Sequence, residues 1–545
     1  MLSKHSTYWN TLKYLKPIQI FGRLTYLAKG NKRKGRLACP VWRNVKIAIP
    51  ELDGDERVHE RFGLEQLIRG EVNLLHQTVK VDFSPEYQST LKPLIQFNLQ
   101  YFEYAVVLAA KYAETKDCAY LKLFKQYYSE YLDSGNPVNQ PYVIALHIPN
   151  ILIALELFGN AIDDKFKQRI YSELYTQYKF LENHLEVHLL ANHYFEDLKA
   201  LTIASYVFGE DKRCKKYLNK LKDECKEQIL ADGMHYELSP MYHKIIWEDL
   251  LRVYSVLADS DFDIDWLKFY ISEMASAGAF WETGIDRTPL FNDSGDNVAK
   301  PFVSLALATK RMLGQEIVQK DSLPNSGNYR LDAGKITAII DCGKVGVDYQ
   351  PGHGHSDCLS FELFIDGKPL FVNQGTLEYQ GEYRGLLKKT SAHNTVMIDG
   401  HEQNEVWSAF RVARRISNIK PLKYSSNHFA GEFSNLSGEI HHRNIALDEN
   451  FLTVLDSIMN ASTGACIKSF LHLAPEYILD GRIIKSTKTG KTIAELTAIY
   501  CECEYATDGD LSIYAPEFGL MQKGSCLTFT WYNDDKEHGY KVTFI

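Results

Sequence analysis

The chain has no unbroken run of about 18 apolar residues, so no membrane span is expected from the sequence. Its first residues, MLSKHSTYWNTLKYLKPIQIFGRL, are basic in part but lack an apolar core of signal-peptide length and a small-residue cleavage site. A cytoplasmic location is the expectation. The ten cysteines form no CxxC pair and no finger spacing. Only Cys501 and Cys503 are near neighbours, on one face of a strand-like run, so buried free thiols are expected. Positive charge in excess is also missing. A net charge of −8 argues against a nucleic-acid partner and leaves any short anionic substrate to a local basic patch.

What is present is length, apolar content and aromatic rings. With 545 residues and 45% hydrophobic side chains, the chain must divide into more than one core. From about residue 60 to 320 apolar residues recur at helical spacing, as in LKPLIQFNLQYFEYAVVLAAKYAE and MYHKIIWEDLLRVYSVLAD. The loop signal DSLPNSGNYRLDAG (321–334) ends that regime. Alternating strand-like runs follow, and Asp366-Gly367 in IDGKPLF reads as a tight hairpin turn. The pattern predicts helices first and then a large antiparallel sandwich.

Several polar clusters interrupt these patterns. ANHYFEDLKAL sets Asn192, His193 and Glu196 around one helical turn, where a satisfied helix-end network is the plainer reading. In DGMHYELSPMYHKIIWEDL, Ser239 is placed to cap a helix that starts at Pro240. Tyr242 then lies in the first turn, where the helix dipole would favour phenolate. FNDSGDN (291–297) reads as a polar loop. GHGHSDCLSFEL brings His353 and His355 around one glycine, and TSAHNTVMIDG adds His393. Histidines from neighbouring strands are a zinc arrangement, although zinc takes at least three protein ligands. Glycines at 352 and 354 would admit a substrate close to the backbone.

Taken in order, ANHYFEDLKAL, DGMHYELSPMYH, GHGHSDCLSFEL, SAHNTVMIDG and QNEVWSAFRVARR resemble the heparinase II/III-like polysaccharide lyases, from about residue 65 to the C-terminus. The resemblance implies an N-terminal (α/α) helical toroid followed by a C-terminal antiparallel β-sandwich. The expected divisions are an N-terminal extension on the toroid (1–60), the toroid (61–322) and the β-sandwich (323–545). It implies β-elimination at a uronic acid, with Asn192, His193, Tyr242 and His353 as catalytic residues. Glu196, Glu237, Arg384 and Gln403 would contact substrate. Cations near Tyr242 would lower its pKa if it acts as base.

His355 and His393 match two of three zinc ligands in the family, but the third position is Asn373 rather than aspartate. Zinc is therefore expected to be weakly bound or absent, with Asp357 the nearest substitute carboxylate. His147 and Ile151 stand where relatives often have arginine and tryptophan, which suggests a substrate less acidic or held differently. The partner expected is an anionic poly- or oligosaccharide, and polysaccharide assembly is a fitting context. Two alternatives remain: a hydrolase or glycan-trimming enzyme on the same fold, and a glycan-binding protein without turnover.

Overall fold

The computed structural model describes residues 4–30, 35–39, 41–135 and 139–545, so residues 1–3, 31–34 and 40 of the N-terminal extension lie outside the described residues. Two burial patterns alternate along the helical half and build it. The Ala191–Val207 helix is buried everywhere except at His193 and Tyr206, which are partly exposed. The next helix, Asp211–Gln228, buries mainly Cys214, Tyr217, Leu218, Leu221 and Cys225, the stripe of a helix with one covered face. A helix buried all round needs neighbours all round. Accordingly Glu103–Thr115, Pro141–Phe158, Ala191–Val207, Pro240–Leu257 and Phe302–Leu313 pack in series as an inner layer. Cys118–Asp133, Asp164–Leu181, Asp211–Gln228 and Asp265–Glu282 pack outside them, giving the (α/α) toroid.

One stretch, Pro141–Ala161, is long and apolar enough to cross a membrane by length and composition. Counting unbroken apolar runs overlooked it, because Tyr142, His147, Pro149 and Asn150 interrupt the run. It is a core helix of the toroid, with 67% of its apolar window buried.

Beyond Leu313 the chain turns to strands. An eight-stranded and a nine-stranded antiparallel sheet face each other across one core, where Leu331 and Phe361 meet Phe429 and Val454. The strand Ile336–Asp341 is buried at every position. Its Ala338 and Ile340 side faces the sandwich core, while Ile339 joins Phe364, Phe280 and Trp281 against the helices. Period-two alternation thus covers both sides of this strand. The Asp366-Gly367 hairpin forms as expected, with φ of 49° and 79° between the paired Ile365 and Lys368.

Two N-terminal helices, α1 (Lys4–Leu12) and α2 (Pro17–Lys29), bridge the two halves. Thr7 donates to Glu405 and Thr11 accepts from Trp407 of the β half. Gly22 packs on Val187 and Tyr26 on His188 of the toroid. The extension, expected on the toroid, touches both.

Candidate active site at the junction of toroid and sandwich

Ser239 caps the Pro240–Leu257 helix by accepting from the Tyr242 amide at 3.2 Å. This fixes Tyr242 in the first turn, facing the β half. Asn192 opens the neighbouring inner helix, and its side-chain amide donates to both Glu237 oxygens at 3.0 and 2.9 Å. His353 arrives from the β half. Its ring lies 4.1 Å from that of Tyr242, and its Nε2 is 3.5 Å from the Asn192 amide. The three residues come together from two inner helices and one β-half loop.

Behind His353 sits Asp293, which is fully buried. One oxygen accepts from His353 Nδ1 at 2.8 Å, and the other lies 2.9 Å from His355 Nε2. Arg384 forks onto both oxygens, and Thr376 adds a hydroxyl at 3.3 Å. Burial alone would raise this carboxyl's pKa. Arg384, His353 and His355 outweigh burial and hold it well below the ordinary carboxylate range. Asp293 stays charged, so His353 keeps its proton on Nδ1 and turns Nε2 toward Asn192 and Tyr242.

Tyr242 is pushed the other way. Burial raises its pKa well above 10, helped by a 2.6 Å hydrogen bond with the Tyr379 hydroxyl and by Asp293 and Glu237. The phenolate favoured by the helix dipole and nearby cations is therefore corrected. Burial, the Tyr379 phenol and the Asp293 and Glu237 carboxylates act on it most, and Tyr242 rests as a neutral proton donor. A cavity of about 200 Å³ opens beside it, lined by Tyr242, Tyr379, Tyr142, Glu196 and Arg61.

The remaining expected site residues divide. Glu196 lines that cavity but is ion-paired to Lys199, which also binds Asp249 at 2.7 Å. His193 packs near Tyr142 and pairs with Glu186 at 2.9 Å, which raises its pKa against the cost of desolvation. Arg384 has its guanidinium filled by Asp293 and the Gly352 and Ala409 carbonyls, so it positions Asp293 rather than contacting substrate. Gln403 is corrected too. Both ends of its amide bracket Cys358, with a further bond to Thr395, which uses both amide hydrogens and leaves no donor for a sugar.

Gly354 also has a different reason. A Cβ on Gly354 would meet the Val345 carbonyl oxygen at 1.6 Å, so backbone packing rather than substrate approach requires glycine there. His147 bonds Tyr128 and the Gln100 carbonyl inside the toroid core, and Ile151 is fully buried. Neither reports on substrate charge.

His355 Nδ1 and His393 Nε2 face each other at 3.1 Å, and burial lowers their pKa values to about 4 and about 3. Both imidazoles are neutral at pH 7. Asn373 accepts from the Asn394 amide at 3.3 Å, and its own side-chain nitrogen is buried with no partner. Asp357 accepts from Asn292, and its pKa is raised by burial. Among the described residues no three His, Cys, Asp or Glu side chains are grouped so that they could hold a metal ion. Two neutral imidazoles and an amide do not fit a resident zinc, which wants three protein ligands and charge to offset its own.

Sequence reading passed over Asp293 and Tyr379. Asp293 lay in FNDSGDN, whose signal was a carboxylate between apolar PLF and a polar turn. Tyr379 lay in the tyrosine-rich LEYQGEYRG, just ahead of the SAHN segment.

Comparison with known proteins agrees with this architecture. The model described as Heparinase II/III N-terminus matches residues 69–307, and that described as Heparinase II/III-like, C-terminal, matches residues 319–530. A curated heparin-sulfate lyase of Pedobacter heparinus is 23% identical over 416 residues, 68% of this chain and 61% of the relative. The chain thus spans less than two thirds of that relative's length. A solved structure of heparinase III superposes with a TM-score of 0.66 at 16% identity, covering 97% of this chain and 92% of that one. A heparan sulfate lyase from Pedobacter heparinus gives 0.59 at 16% identity, covering 97% and 88%. At these identities the structures speak for the fold. With both halves matched in order across most of its length, the chain belongs to the heparinase II/III-like family.

Proposed function

We propose that the chain is a polysaccharide lyase that cleaves a uronic-acid-containing glycan by β-elimination, on an acidic glycan of the kind named for its relatives. The observation that carries this reading is the convergence of Asn192, Tyr242 and His353 with Asp293 bonded behind the histidine. A uronate C5 proton is feebly acidic while the adjacent carboxylate keeps its full charge. The Asn192 amide, now held by Glu237, is the donor for that carboxylate as charge builds in the enolate. His353 Nε2 takes the C5 proton. The electron pair left at C5 forms the C4–C5 double bond as the C4–O4 bond breaks. O4 takes the Tyr242 phenol proton, which the raised pKa keeps on the phenol until the leaving oxygen needs it. Arg61 is a cation available to the glycan. It lines the cavity and is held by the carbonyls of Asp296, Val298 and Ala299, with no carboxylate partner among the described residues.

The test is incubation with heparan sulfate and a panel of other uronate glycans while near-ultraviolet absorbance is followed. Elimination leaves a conjugated double bond, so absorbance rises with each cut. New reducing ends without absorbance would replace this reading by hydrolysis, and retention of intact glycan would replace it by binding. Tyr242→Phe removes only the hydroxyl and is expected to lower turnover by about 10³-fold or more with binding largely kept. Full activity in that variant would mean that the tyrosine only packs.

A further inference from the structure

The two N-terminal helices turn their apolar side away from the protein. In α2 the protein-facing residues are Gln19, Gly22 and Tyr26, and Gln19 and Gly22 are the buried ones. At about 100° per residue, Ile20, Phe21, Leu24 and Leu27 then share the opposite arc. They are 50%, 68%, 61% and 63% exposed. Ile18 beside them and Tyr8, Trp9 and Leu12 of α1 are each at least half exposed. Arg23 falls at one edge of the α2 arc, where a long cationic side chain can lie along an apolar boundary, while Lys29 turns to the toroid and donates to the Asn183 carbonyl at 2.7 Å. Apolar surface on this scale, rimmed by polar groups, marks a docking face.

Charge identifies the partner. Residues 1–50 contain eleven lysines and arginines and no aspartate or glutamate, in a chain of net charge −8; of these, Lys16, Arg36, Arg43 and Lys46 pair with toroid carboxylates, and Arg23 lies beside the apolar arc. A basic amphipathic helix with Phe, Leu and Ile on its free face is the pattern of a helix lying in a membrane interface. A second copy of the chain would bring two such cationic segments together, which repel. An uncharged apolar partner leaves the segregated cations without a role.

We propose that α1 and α2 dock this protein on an anionic phospholipid surface, with Phe21, Leu24 and Leu27 among the acyl chains and Arg23 at the headgroup phosphates. The inference stands apart from the proposed lyase activity. It leaves the cleft residues untouched, because α2 rests on the toroid through Gly22 and Tyr26.

The test is co-sedimentation of the full chain with vesicles of phosphatidylcholine alone or with phosphatidylglycerol added. Binding is expected to the phosphatidylglycerol vesicles, weakening as salt rises. The triple variant Phe21→Ser, Leu24→Ser, Leu27→Ser is expected to bind at least about 100-fold more weakly, with unchanged thermal unfolding. If the triple variant folds poorly, Phe21→Ser alone is read, with about a tenfold loss expected. Equal vesicle binding by the variant overturns the proposal. So does a chain that ignores vesicles but forms a dimer that the triple variant breaks, which would assign the face to a second copy.

Discussion

Two buried charge clusters lie beside the same cleft and behave in opposite ways. At the junction, one carboxylate, Asp293, is shared among Arg384, His353 and His355. On the toroid side, two carboxylates, Glu196 and Asp249, share the single Lys199. Both clusters pay for burial. At the junction the donors win, and the Asp293 pKa falls well below the usual 3.8. In the toroid, burial and Glu196 outweigh Lys199, and the Asp249 pKa rises well above it. The ratio of donors to carboxylates decides whether a buried acid stays ionised. Only an ionised Asp293 can hold the His353 Nδ1 proton and free Nε2 for chemistry, which is why the junction cluster reads as the working one.

The strongest way to break this contrast is Asp293→Asn. It leaves the Arg384 guanidinium buried without a counter-charge, at a cost of about 3–5 kcal/mol in denaturant unfolding. Turnover is expected to fall about 10³-fold or more through loss of the His353 tautomer. A variant that loses stability but keeps its rate would reduce Asp293 to scaffolding.

Asn192→Ala comes next and touches the cleft without touching Asp293. Removing one donor at the developing enolate is expected to slow turnover about 100-fold. A rise in KM with unchanged kcat would instead assign Asn192 to binding alone.

Asp249→Asn sharpens the toroid side. Turnover is expected to stay within about threefold, since Lys199 keeps Glu196 as partner and neither group contacts His353 or Tyr242. The pH dependence carries opposite signs in the two clusters. Asp293, with a depressed folded pKa, contributes stability that is complete above about pH 3.8 and is lost as pH falls through its lower folded value. Asp249, with a raised folded pKa, contributes stability that is complete below about pH 3.8 and is lost as pH rises through its folded value. Relative to the unmodified protein, Asp249→Asn is therefore expected to gain stability as pH rises. Parallel unfolding curves from pH 5 to pH 9, taken about one unit apart, would show that Asp249 is not the group that sets it.

The smallest effect is expected at the histidine pair. Asn373→Asp puts a carboxylate at the third position beside His355 and His393, so it should retain zinc through dialysis against chelator while the unmodified protein does not. One zinc per unmodified chain would require a ligand other than Asn373.

Much of the fold was legible because burial writes itself into periodicity. Helices of the outer layer carry one apolar stripe, and strands of the sandwich alternate, so helix-then-strand order could be read directly. Asn192, Tyr242 and His353 were legible as motifs, and the Asp366-Gly367 turn as local chemistry. Gln403 misled because its motif reports a bracket between loops, at Cys358 and Thr395, and a motif does not say which way a side chain faces. His147 misled in the same way, since a position in a helix does not say whether it borders the cleft or the core.

Sequence by itself determined what depends on neighbours along the chain: which segments are helix or strand, where Ser239 caps, and where the tight hairpin turns. The tertiary structure alone decided what depends on groups far apart in the chain. Asp293 meets Arg384, 91 residues on, and His353, 60 residues on, and only their convergence keeps it charged. Tyr242 meets Tyr379 across 137 residues, and that contact together with burial makes it a donor rather than a phenolate. Protonation is set by the local field and solvent access, and both are sums over neighbours in space that no spacing along the chain records.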